Sequence, residues 1–109
     1  MQKIKLMFEF GHGPIWDSDP FTGKLMTGIE IVDRDPNLEM WNSQCMNLYD
    51  ECYKFNSHGK GCYFNEETLA KNKKELLRIL EQIKSRLEEL NDNNFTIEDQ
   101  ATDELNKVN

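Results

Sequence analysis

Apolar residues first recur along this chain with a period of two. Ile4, Leu6, Phe8 and Phe10 alternate with Lys3, Lys5, Met7 and Glu9, the pattern of a strand with one buried face. Gly11, Gly13 and Pro14 break it. The loop that follows runs to Gly23 and is rich in Gly, Pro and Asp; long ordered loops are often functional. A second strand is predicted from about Lys24 to Val32, interrupted by Gly28, with Ile29 and Ile31 as its alternating apolar pair. Neighbouring elements usually pack together, so the simplest arrangement is an antiparallel hairpin of these two strands.

The period then becomes helical. Asp35 is a good N-cap, and Pro36 is preorganised for the first helical position. Leu38, Trp41, Cys45, Leu48, Cys52 and Phe55 follow at alternating spacings of three and four, one apolar stripe. His58-Gly59-Lys60-Gly61 ends that helix in a turn. Asn65 is the cap of a second helix, with Glu66 and Glu67 in the first turn, where negative charge suits the dipole. Leu69, Leu76, Leu80, Ile83, Leu87 and Leu90 form its stripe. The short connection implies an antiparallel helical hairpin. Phe95-Thr96-Ile97 is a candidate short third strand, and the polar chain after it is expected to fray. The predicted fold class is thus α+β: a small N-terminal antiparallel β-sheet packed against an antiparallel two-helix hairpin, with a short C-terminal strand. Residues 1–98 are predicted to form one domain and residues 99–109 a polar, flexible tail.

Charge narrows the function classes. The net charge is -7, unevenly spread: residues 9–51 hold nine acids and two bases, whereas residues 52–87 hold eight bases and four acids. Such a chain repels phosphate backbones, which argues against direct nucleic-acid binding. It suits basic partners, whose encounter it accelerates; the same charge also serves solubility alone. No apolar run approaches the roughly 20 residues needed to cross a bilayer, so no membrane partner is expected. The N-terminus lacks the pattern of a signal peptide. The three cysteines, Cys45, Cys52 and Cys62, are an odd number and read as reduced thiols. A cytoplasmic location is the expectation.

Catalytic motifs are missing. Gly11-His12-Gly13 lacks the Gly-Lys-Ser/Thr of a phosphate loop, and no Ser sits in a Gly-flanked elbow. Cys52, His58 and Cys62, with Cys45 or His12, are the best metal candidates, at spacings that match no compact zinc knuckle. Cys45 and Cys52 also lie on the helix stripe, where a small buried hydrophobe is expected. Neither a metal, a cofactor nor an enzymatic activity is therefore predicted.

Binding candidates remain. Trp41 belongs to the helix stripe and reads as core, while Trp16 either caps the core from the loop or anchors an interface. Tyr49 and Tyr53 either close the core edge or present polar-tipped rings to a partner. Asp17 and Asp19 fall in the long loop and are the acids freest to meet a partner; Asp33 adjoins Arg34, which would neutralise it locally. With Glu30 and Asp50 these residues form the candidate partner-binding set: Trp16, Asp17, Asp19, Glu30, Asp33, Tyr49, Asp50 and Tyr53.

A strand, a glycine-proline break and the tip Ile15-Trp16-Asp17-Ser18-Asp19 resemble a group of small acidic immunity proteins of bacterial polymorphic toxin and contact-dependent growth inhibition systems. The resemblance covers mainly residues 1–19. It implies a protein that neutralises one cognate toxin C-terminal domain, often basic and often a nuclease, by stoichiometric occlusion. The long Leu-rich second helix and the mixed-charge stretch over 52–87 depart from that pattern and leave toxin class and binding face open. A helical adaptor or oligomerisation module built on the two stripes is the alternative.

Overall fold

A computed structural model describes residues 2–9, 13–19, 22, 24–55, 62–91, 93 and 95–107. Its elements are β1 (Gln2–Leu6), α1 (Glu30–Asp33), α2 (Pro36–Asp50), β2 (Tyr53–Phe55), β3 (Cys62–Phe64), α3 (Glu66–Leu90), β4 (Phe95–Asp99) and α4 (Ala101–Asn106).

The protein is α+β, but the predicted N-terminal antiparallel sheet is not what forms. β1 pairs in parallel with β4, Gln2 opposite Phe95 and Leu6 opposite Asp99. The candidate strand at Phe95-Thr96-Ile97 is therefore β1's partner, and it extends to Asp99. Segment 24–32 cannot take that place because its backbone turns. Gly28 sits at φ 84°, a left-handed conformation that glycine adopts without steric cost. The Asp33 carboxylate then accepts from Thr27 N–H (2.9 Å), Thr27 Oγ1 (2.6 Å) and Gly28 N–H (3.0 Å). The chain enters α1 directly afterwards, so Ile29 and Val32 are buried while Ile31 is 51% exposed. A strand would have put Ile29 and Ile31 on one face. The antiparallel neighbour of β1 is instead residues 14–16, through one bridge, Leu6 to Ile15.

Helix α2 begins as read from the sequence. Asp35 Oδ1 accepts from Asn37 N–H (2.9 Å) and Leu38 N–H (3.1 Å). It ends earlier than its stripe suggested, at Asp50. Tyr53 to Phe55 leave the helix to pair antiparallel with β3, Tyr53 opposite Phe64. The turn foreseen at His58-Gly59-Lys60-Gly61 lies outside the described residues. Asn65 Oδ1 caps α3 through Thr68 N–H at 3.0 Å.

The two long helices run antiparallel, as their cross-links require. Near the start of α3, Asn72 Nδ2 donates to Leu48 O (3.1 Å) and Glu51 Oε2 (3.0 Å) at the end of α2. Near its end, Arg86 Nε reaches Asp35 Oδ2 at 2.7 Å. Leu76, Ile79, Leu80, Ile83 and Leu87 of α3 bury fully or nearly so, against Leu38 and Cys45 of α2 and the inner face of the sheet, Ile4, Leu6 and Phe95. Phe8, placed just past β1, stacks on Tyr49 with ring centroids 4.8 Å apart.

The chain beyond residue 98, read from its polarity as a tail, is structured as far as Lys107. Ala101 and Leu105 are buried. Asp99 joins α4 to α3: it accepts from Thr102 N–H (2.9 Å) and Thr102 Oγ1 (2.6 Å), and meets Lys84 Nζ at 3.0 Å. One buried face of two residues, Ala101 and Leu105, is too little apolar pattern for a six-residue helix to announce itself in sequence.

Burial works to raise the Asp99 pKa, but the Thr102 hydrogen bonds and the Lys84 charge outweigh it and hold the carboxyl below its ordinary value. A depressed acid contributes stability above its unfolded pKa and loses it as pH falls through the folded value. Asp99→Asn should therefore lower the melting temperature at pH 7, and the gap to wild type should close below about pH 4; thermal unfolding across pH 2–7 checks this window. Leu80→Ala should cost about 2–5 kcal/mol in urea unfolding, the range for a buried leucine truncation.

Candidate partner-binding face

Residues 13–19 are held on three sides. Along β1, Met7 N–H donates to Pro14 O (2.8 Å) and Trp16 N–H to Lys5 O (2.9 Å). Beneath, Asn42 of α2 is buried at 2% exposure, and its Oδ1 accepts from Ile15 N–H at 2.8 Å. The Asn42 Nδ2 reaches Ser18 Oγ at 3.4 Å, and Ser18 Oγ donates back to Ile15 O at 2.8 Å. Gly13 passes so close that a Cβ there would run into the Asn42 carboxamide. On the third side, Met26 N–H donates to Asp17 O and Asp19 N–H to Lys24 O, both at 2.8 Å. The loop is thus a preformed layer of backbone, pinned by one helix asparagine.

The predicted binding residues divide over this frame. Trp16 is half-buried, with Lys5 Nζ 5.1 Å from its ring centroid, a cation–π distance. Asp17 is exposed. Asp19 is half-buried and its carboxylate takes Thr22 N–H at 3.4 Å, a bond within the loop. Glu30 is exposed and pairs with Arg34 at 2.9 Å. Arg34 therefore answers Glu30, and Asp33 is occupied with Thr27 and Gly28 instead. Asp33 is a structural brace of the turn.

Tyr49, Asp50 and Tyr53 belong elsewhere. Tyr49 is seven residues beyond Asn42, about 10 Å along the helix. Its ring packs on Phe8 and lies edge-on to Tyr53 at 5.9 Å. Burial first, then Tyr53, pushes its hydroxyl well above the ordinary tyrosine value. Tyr53 in turn meets Phe64 at 5.1 Å. These rings close the core where α2 gives way to the β2–β3 hairpin. Asp50 is half-buried beside them in sequence.

Three residues outside the predicted binding set stand out. Met26, Ile31 and Met40 are 61%, 51% and 47% exposed, the large apolar side chains most open to solvent among the described residues. Met26 lines a shallow hollow with Leu25 and Gly28; Ile31 lines a second with Pro36 and Leu90. Glu30 and Arg34 line both, so the charged side chains of α1 stand between two hollows of mixed polarity.

The Cys45 thiol is buried and pushed up to about 12, first by burial and then by Glu75, whereas reactive cysteines have lowered values. Among the described residues no three His, Cys, Asp or Glu side chains converge as metal ligands. His12 and His58 lie outside the described residues, and so does the Cys62 side chain. A groove of about 360 Å³ between α2 and α3, lined by Asn37, Trp41, Gln82, Ser85, Arg86 and Glu89, is open to solvent. No helix of the described residues is long and apolar enough to cross a membrane.

The chain matches no protein family, no curated protein and no solved structure.

Asn42→Ala should destabilise by about 1–3 kcal/mol, because it leaves the buried Ile15 N–H without an acceptor. Urea unfolding gives the magnitude. Amide exchange should show the loss of protection centred on Ile15 and Ser18.

Proposed function

We propose that this protein is an immunity protein that binds one cognate toxin domain and holds it inactive by occlusion. The observation that carries the reading is the composition of the face around α1. Met26 and Ile31 are exposed there, within the acidic half of the chain, with exposed Asp17 and Glu30 beside them. Exposed apolar side chains set among charged ones suit a protein interface, where methionine is enriched. The acidic balance fits a basic partner, such as a nuclease domain, and would speed the encounter. The resemblance of residues 1–19 to immunity proteins points the same way. No catalytic role is assigned to the chain itself, and it acts stoichiometrically in the cytoplasm.

The helical adaptor draws less support. Its stripes would have to meet another chain, yet Leu76, Leu80, Ile83 and Leu87 are consumed within this one.

Co-expression with the toxin domain encoded beside it, scored by growth and co-purification, tests the reading. The wild-type protein should restore growth and co-purify; if it does neither, the immunity role is wrong. Asp17→Lys with Glu30→Lys should slow association, with the loss shrinking as salt rises, because exposed charges are screened over about 10 Å at 0.1 M. Met26→Arg should act mainly by raising the dissociation rate.

A further inference from the structure

The parallel ladder fixes which way each main-chain group of β4 points. Gln100 N–H donates to Leu6 O at 2.8 Å, so Gln100, and by alternation Glu98 and Thr96, direct their N–H and C=O groups at β1. Phe95, Ile97 and Asp99 direct theirs at the opposite edge. Phe95 agrees: its N–H donates to Asn91 Oδ1 (3.3 Å) and its C=O accepts from Asn91 Nδ2 (2.8 Å). The Asn91 carboxamide thus occupies the place of a neighbouring strand for one residue only. Past it, no strand among the described residues pairs with β4 on that side. The corresponding edge of β1 is covered, since Lys5 and Met7 are taken by Trp16 and Pro14.

We infer that the outer edge of β4, centred on Ile97, accepts an extended segment of the partner protein as an added strand, with a basic side chain opposite Glu98. This rests on the immunity reading above. An open edge with paired donors and acceptors is a template for strand addition. The edge discriminates against a second copy of itself. An antiparallel twofold pairing centred on Ile97 would set Phe95 against Asp99, and Asn91 already occupies the Phe95 groups. A pairing centred on Glu98 would place two Glu98 side chains directly opposite, where like charges are destabilising. A foreign strand that brings a lysine or arginine to that position meets neither obstacle. Glu98 remains available to it: the side chain is 40% exposed and its contact with Lys3, at 3.7 Å, lies at the long end of ion pairing.

Hydrogen exchange on the wild-type protein, alone and with the toxin domain encoded beside it, tests this. Alone, the Ile97 amide should exchange readily while those of Thr96 and Glu98 are protected. In the complex, Ile97 exchange should slow by about fivefold or more, the factor set by one typical net hydrogen bond. Glu98→Lys, a change on the solvent face, should weaken binding while leaving the melting temperature near wild type. Protection of Ile97 in the free, monomeric protein would overturn the open edge. Protection that grows with concentration of the protein alone would make a second copy the occupant and overturn the choice of partner. A complex that forms with Ile97 still exchanging freely would overturn this inference and leave the immunity role standing, whereas absence of any complex would overturn both.

Discussion

The parallel pairing of β1 with β4 governs this fold. Parallel strands cannot be joined by a tight turn, because the chain must return to the starting end before the second strand begins. The intervening segment, with both long helices, is therefore a crossover, and it must cover the sheet it returns to. It does so with one face. Ile4 and Leu6 of β1 and Phe95 and Ile97 of β4 meet α3 and the core, while Lys3, Lys5, Thr96 and Glu98 remain on the other side. The sheet closes the two ends of the chain over a helical hairpin.

Polar side chains set the positions of the pieces within that frame. Asp35, 5% exposed, uses one carboxylate oxygen to cap α2 and the other to bind Arg86 on α3. The carboxylate bond, with a second from Glu89, raises the guanidinium pKa further above its ordinary value. Such a pair adds little net stability over an apolar substitute, yet losing one partner strands the other; its effect is to fix the register of the two helices. Asn72 does the same at the other end of the hairpin, and Asn42 does it for the loop of residues 13–19. Each is satisfied on a buried or half-buried site, where an unpaired group would be costly.

Those polar pins also explain how a small chain presents a defined surface. Asn42 and β1 hold residues 13–19, the Asp33 brace holds the turn at Thr27 and Gly28, and α1 follows directly. Exposed Met26 and Ile31 are a stability-neutral feature at best for a monomer, since their apolar area stays in water. Under the proposed function their place within the acidic half is the partner's landing site, and the sheet edge at Ile97 is the inferred second contact, through main chain.

The amino-acid sequence by itself determined the local elements with strong periods and caps. The alternation at Ile4, Leu6 and Phe8, the Asp35-Pro36 start of α2, the Asn65 cap and the leucine stripe of α3 are each set within a few residues, by burial period and by orphan backbone groups that a nearby side chain satisfies. Tertiary structure decided the partners. β1's choice of β4 over residues 24–32 depends on a contact 93 residues away in register, and no local period records it. The end of α2 at Asp50 was set by the β2–β3 pairing, which overrode an apolar stripe continuing to Phe55. The burial of Ala101 and Leu105 needed the surface of α3 to exist first. The same limit held for the candidate site. Trp16 and Asp17 were visible as an apolar and an acidic residue after a glycine-proline break. The roles of Asp33, Asn42 and Tyr49, and the exposure of Met26 and Ile31, came from neighbours distant in sequence or from a turn whose geometry a single glycine set.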